Sequence, residues 1–144
     1  MVLRAKDIME SPVLTVDENT DALTCAQAMV EHHKGYALVV RDGKMLVGIL
    51  TEWDFLEKIV APSVDPRSMR VQALATQSIH SCAPDTPTDE VVSKMASLGI
   101  RRMLVRSGDQ VVGIITSRTI LSHFREYVDK ISAEIAGYGS VTSP

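Results

Sequence analysis

The sequence is poor in cysteine, in positive charge and in long apolar runs, and each shortage removes a class of function. Its two cysteines, Cys25 and Cys82, lie far apart and form no C-x-x-C pair, which leaves no zinc or redox motif and fits two small buried hydrophobes. The formal net charge is -3. A dedicated nucleic-acid binder needs a basic excess to neutralise phosphates, so the balance argues against nucleic acid as a partner. No apolar stretch approaches the length of a membrane span, and the opening "MVLRAKDIME" lacks the apolar centre of a secretory signal. A cytoplasmic chain without a membrane partner is the expectation. His32 and His33 are adjacent, so on a helix they point about 100° apart and cannot share a metal. His123 has no partner at ligand spacing, and neither a G-x-S-x-G elbow nor a glycine-rich phosphate loop is written. No catalytic residue and no metal ligand is assigned, and an enzyme is not expected.

What the chain does have is a globular balance, 45% hydrophobic and 23% charged residues over 144 positions, enough for one compact domain or two lobes that share a core. It also repeats itself. Thr15, Thr20 and Met29 align with Ser81, Thr86 and Met95 at an offset of 66, and Gly43, Gly48 and Thr51 with Gly108, Gly113 and Thr116 at an offset of 65. The units so defined are a first repeat over 1–60, a linker over 61–69 ("APSVDPRSM"), a second repeat over 70–127, and a C-terminal helix and flexible tail over 128–144.

The periodicity changes in the same order within each unit. Ala22, Cys25, Ala26, Met29 and Val30 fall on one helical stripe, and Val91, Val92, Met95 and Leu98 repeat it. Thr86, Pro87 and Asp89 read as N-cap, first helical position and first-turn acid of the second of these helices. Two apolar runs follow, "YALVV" with "MLVGIL" and then "RMLV" with "VVGII", joined through Asp42-Gly43 and Ser107-Gly108. These are hairpins of strands covered on both faces. A further helix begins near Thr51 and near Thr116, and short strands are expected at "VLTV" and "IHSC". Beyond it, Phe124, Val128, Ile131 and Ile135 continue at helical spacing until "GYGSVTSP" ends the order.

The segment "GILTEWDFL" (48–56) returns as "GIITSRTIL" (113–121), with Thr119 where the first copy has Asp54. T-x-x-D at a helix start is a capping-box pattern, in which Asp54 reaches back to the Thr51 amide. A helix start also offers free N–H groups and a positive dipole end to a phosphate. The pattern alone leaves both readings open.

The order of elements, the repeat length, the "LVV" strand, "VGIL" and T-x-x-D together resemble the cystathionine β-synthase (CBS) domain, from about Ala5 to Tyr127. The resemblance implies a mixed α/β fold, two pseudo-twofold β-α-β-β-α repeats packed through their sheets, with two clefts at the seam for adenosine compounds. AMP, ADP or ATP would be a regulatory ligand, with S-adenosylmethionine or NAD as further candidates, and no cofactor is required. Position by position it assigns Thr51 to phosphate or ribose, Asp54 to the 2′ and 3′ hydroxyls, and Arg101 and Arg102 of the other repeat to phosphate. Ser78, Ile79 and His80 would frame the purine. The second cleft, built from Val13, Leu14, Tyr36, Ala37, Thr116 and Thr119 beside Ser117 and Lys34, lacks the carboxylate. It places an aromatic and a methyl opposite the arginine pair, so weak binding or none is expected there. Trp53, Leu56, Ile120 and Phe124 would form a homodimer face, and an effector protein, unnamed by the sequence, would read the signal. Two rivals remain: a ligand-independent dimerising scaffold and a nucleic-acid-binding module using Arg101 and Arg102.

Overall fold

The computed structural model describes residues 3–77 and 79–142. In the first repeat the elements run α1 (Ala5–Ile8), β1 (Thr15–Asp17), α2 (Ala22–Glu31), β2 (Tyr36–Arg41), β3 (Met45–Thr51) and α3 (Glu52–Phe55), which continues as a π-helical turn over Leu56–Val60. The second repeat has α4 (Val71–Leu74), β4 (Ser81–Cys82), α5 (Thr88–Leu98), β5 (Arg102–Ser107), β6 (Gln110–Thr116) and α6 (Ser117–Thr142). The strands form two three-stranded sheets, β1-β2-β3 and β4-β5-β6, each with one parallel and one antiparallel pairing. Leu38 and Tyr36 of one sheet meet Leu104 and Ile114 of the other in a buried seam. The expected mixed α/β repeat pair, packed through its sheets, is the architecture observed.

Local chemistry accounts for most elements. Asp21 caps α2 by accepting a hydrogen bond from the Thr24 amide at 2.9 Å, and the stripe Ala22, Cys25 and Met29 is buried beneath it. Val30 is exposed despite its helical spacing. Asp42 and Gly43 both adopt positive φ, 53° and 71°, as a tight hairpin requires. One expected cap differs. Pro87 is the N-cap of α5, while the Thr86 hydroxyl accepts from the Ala83 amide at 3.1 Å and so closes the preceding turn instead.

The repeats exchange their openings. The Ala5 amide bonds to the Thr86 carbonyl at 2.8 Å, and Glu10 exchanges two backbone bonds with Ile114. Ala5 and Ile8 therefore belong to the core of Val91, Met95, Met103, Val105 and Ile115. Reciprocally, Val71 and Leu74 complete the core of Ala22, Cys25, Val39 and Leu50, and Thr76 exchanges two bonds with Ile49. The packed lobes thus differ from the sequence units 1–60 and 70–127 at each opening. The strand glycines make this crossing possible. A Cβ on Gly48 would meet the Thr76 carbonyl oxygen at 2.8 Å, and one on Gly113 would meet the Met9 side chain. The linker is itself partly held, with Val64 and Met69 packed on the first core.

The flexible tail expected within 128–144 is not observed through Thr142, where α6 is one unbroken helix of 26 residues. No proline lies between Ser117 and Thr142, so nothing within α6 removes a helical donor; the glycines in "GYGS" weaken the helix without ending it. Pro144 and Ser143 lie outside the described residues.

Candidate functional site

The interlock sets one cleft at the seam. β3 ends at Thr51, where the chain turns into α3 and sets Asp54 one turn along. The exchanged segment passes β3 at Thr76 and delivers Ile79 and His80 to the facing wall, while Arg102 opens β5 and Arg101 immediately precedes it. Thr51, Asp54, Ile79, His80, Arg101 and Arg102 all line one cavity of about 310 Å³, together with Ile49, Trp53, Thr76, Ile100 and Leu104. Six of the seven residues expected in the first cleft are therefore brought together. The seventh, Ser78, lies outside the described residues.

Asp54 is 7% exposed, and its two oxygens have different partners. Oδ2 accepts from the Thr51 amide at 2.8 Å and the Thr51 hydroxyl at 3.1 Å, so it serves the cap. Oδ1 is 3.2 Å from Lys58 Nζ, which also donates to the Leu74 carbonyl at 2.7 Å. Lys58 therefore ties the cleft carboxylate to the exchanged α4. Its spacing of four from Asp54 is the signal that sequence reading passed over. An ionised carboxylate has about four lone-pair sites, and three are used here. Arg101 is exposed and Arg102 half-buried, and among the described residues neither guanidinium has a hydrogen-bond or ion-pair partner. The cleft thus combines two uncommitted guanidinium forks with a carboxylate that keeps acceptor capacity, a pairing suited to an anion that also carries hydroxyl donors.

The pseudo-symmetric position is built differently. The Thr119 hydroxyl accepts from the Thr116 amide at 2.7 Å and donates to the Thr116 carbonyl at 2.8 Å, and the Thr119 amide donates to the Thr116 hydroxyl at 3.1 Å. Thr119 keeps the cap that Asp54 makes and removes its charge. Strand pairing also corrects the equivalence across the repeats. Tyr36 pairs with Thr51 as Arg102 pairs with Thr116, so the counterparts of Arg101 and Arg102 are Gly35 and Tyr36. Ala37 matches Met103, and both are fully buried.

The six residues expected around the second cleft do not share one hollow. Val13 and Leu14 line a space of about 330 Å³ with Ser11, Pro12, Thr15, His32 and Lys34, from which Tyr36, Ala37, Thr116 and Thr119 are absent. The Tyr36 side chain is buried in the seam instead, and burial pushes its hydroxyl up from its ordinary titration range. Glu10 and Lys34 form an ion pair where the first cleft has Thr76 and Ile100. Of the expected interface residues, Trp53, Leu56 and Phe124 are exposed, whereas Ile120 packs on the second-lobe core.

The CBS domain family model matches residues 5–61 and 71–126. Hypoxic response protein 1 of Mycobacterium tuberculosis is 32% identical over 123 residues, covering 85% of this chain and 86% of the relative. Among solved structures, the CBS domain pair of protein MJ0100, in complex with 5′-methylthioadenosine and S-adenosyl-L-methionine, superposes with a TM-score of 0.77 at 26% identity, covering 88% of this chain and 99% of that one. A hexameric CBS-CP12 protein from bloom-forming cyanobacteria gives 0.75 at 28% identity and covers 99% of this chain and 90% of its own. No helix among the described residues is long and apolar enough to cross a membrane.

Proposed function

The chain belongs to the CBS-domain family as a tandem pair, a regulatory module, and from that membership we propose that its Asp54 cleft binds an adenosine nucleotide, one per chain. The observation that carries the reading is the convergence of Asp54, Arg101, Arg102, Ile79 and His80 on one cavity. In the bound state the ribose diol takes the remaining acceptor capacity of Asp54, the two guanidinium groups hold phosphate, and Ile79 packs on the base while backbone groups beside His80 read its edge. A volume of about 310 Å³ lies at the small end of ligand sites, roughly 300 to 1,000 Å³. It favours a mononucleotide such as AMP over a dinucleotide such as NAD. The adenosine ligands of the MJ0100 pair support the same chemical class.

We further propose that the module acts in the cytoplasm as a homodimer through the exposed helix face of Trp53, Leu56 and Phe124, reporting ligand to an effector protein as an energy or metabolite sensor. Any such signal requires different nucleotide affinities in two conformations.

Thermal melting with AMP, ADP, ATP, S-adenosylmethionine and NAD tests the cleft. A ligand present at a hundredfold its dissociation constant adds about 2.7 kcal/mol to stability, an upward shift easily resolved. Unchanged melting with all five compounds would leave the scaffold reading in its place.

A further inference from the structure

The cleft and the lobes use only the first part of α6. From Leu121 onward the helix presents Leu121, Phe124, Val128, Ile131 and Ile135 at spacings of three, four, three and four, and all five are exposed. That alternation is the a/d repeat of a coiled coil, narrower than the stripe of a helix buried on a globular core. Arg125, Glu126, Asp129, Lys130, Ser132 and Glu134 occupy the other faces, which suits them to solvent. Within the chain α6 packs mainly on β6 and α1, and residues 124–137 are exposed on every side. A helix segment of that length without packing is marginal in water, because its stability comes from burying its apolar face.

We propose that the outer part of α6 is a self-association element that pairs with α6 of a second copy of this chain. The a/d spacing names the occupant, since an identical stripe offers knobs and holes of matching period. Area agrees. The five seam residues and the flanking Tyr127 leave on the order of 700 Å² exposed per copy, so pairing two copies covers about 1,400 Å², within the range of stable specific interfaces. This surface shares Phe124 with the Trp53 and Leu56 face and otherwise lies beyond it along α6, and it requires no ligand.

The test is the mass of the full chain by sedimentation equilibrium, for wild type, Val128→Asp/Ile131→Asp and Trp53→Glu. The α6 double variant is expected to halve the mass and to lower the helical ellipticity at 222 nm, because the unpaired segment frays. Dilution of wild type should lower mass and ellipticity together, a readout that needs no variant. A monomeric wild type at about 100 μM, or a double variant with wild-type mass, would overturn the proposal, as would loss of mass in Trp53→Glu alone. Nucleotide melting shifts are recorded on the same samples. Their absence would count against the cleft and leave this inference standing, and their retention in the double variant shows that its lobes are folded.

Discussion

Replacing Asp54 with alanine would confound two roles, because the carboxylate caps α3 through Oδ2 and holds Lys58 through Oδ1. Asp54→Thr separates them. The second repeat already shows that threonine at this position maintains the cap, with the Thr119 hydroxyl 2.7 Å from the Thr116 amide. The substitution removes the charged acceptor proposed for the ribose diol, and a hydrogen bond to a charged group contributes about 1.5 to 3 kcal/mol. Affinity for the best nucleotide should therefore fall roughly 10- to 150-fold. Stability should change far less, by about 1 kcal/mol, since the Lys58 pair is partly solvated and the cap is kept. Isothermal titration gives the affinity, and urea denaturation without ligand gives the stability. Nucleotide affinity within twofold of wild type, in a protein of unaltered stability, would refute the role given to Asp54.

Gly48→Ala should destabilise by roughly 1 to 3 kcal/mol, because the new methyl meets the Thr76 carbonyl and Ala75 Cβ at 2.8 and 2.9 Å; an unchanged urea midpoint would mean that the exchanged segment lies less close. His33 holds φ 55° where the second repeat has Gly99 at 63°, so His33→Gly should gain about 0.5 to 1 kcal/mol in the same assay, and a loss would contradict the reading. Burial pushes the Cys25 thiol up to about 11, while the unfolded thiol ionises near 8.5. The folded state keeps its proton where the unfolded state loses it, so this contribution is fully present below about pH 8.5 and is lost as pH rises towards 11. The total loss amounts to roughly 3 kcal/mol, and Cys25→Ala should abolish this pH dependence. Equal slopes in the two proteins would dismiss the effect.

The helices and hairpins were legible because their signals are local: a stripe at i, i+3, i+4 over Ala22, Cys25 and Met29, and Asp42-Gly43 between apolar runs. The exchange of openings was not, because "AKDIMESP" and "VQALATQS" would satisfy their own lobe or the other with the same pattern. The glycines of "VGIL" and "VGII" were the available clue, since a glycine inside a strand marks close backbone approach. The slip that set Ala37 rather than Gly35 opposite an arginine has a similar cause. β2 is buried on both faces from Tyr36 to Val40, so no alternation fixes its register. For the cleft, T-x-x-D and the arginine pair were visible as residues, and the repeat supplied their juxtaposition. Lys58 was passed over although its spacing from Asp54 was in view.

One competent nucleotide site per chain is proposed because the carboxylate and both arginines, without hydrogen-bond or ion-pair partners among the described residues, fall on the same cleft, while the equivalent positions of the other repeat are Thr119, Gly35 and Tyr36. Titration of the full chain with the most stabilising adenosine nucleotide measures this directly. One molecule should bind per chain, with Thr119→Ala leaving affinity and stoichiometry unchanged. Two equivalent sites per chain, or saturable binding that persists in Asp54→Thr and weakens in Thr119→Ala, would contradict it.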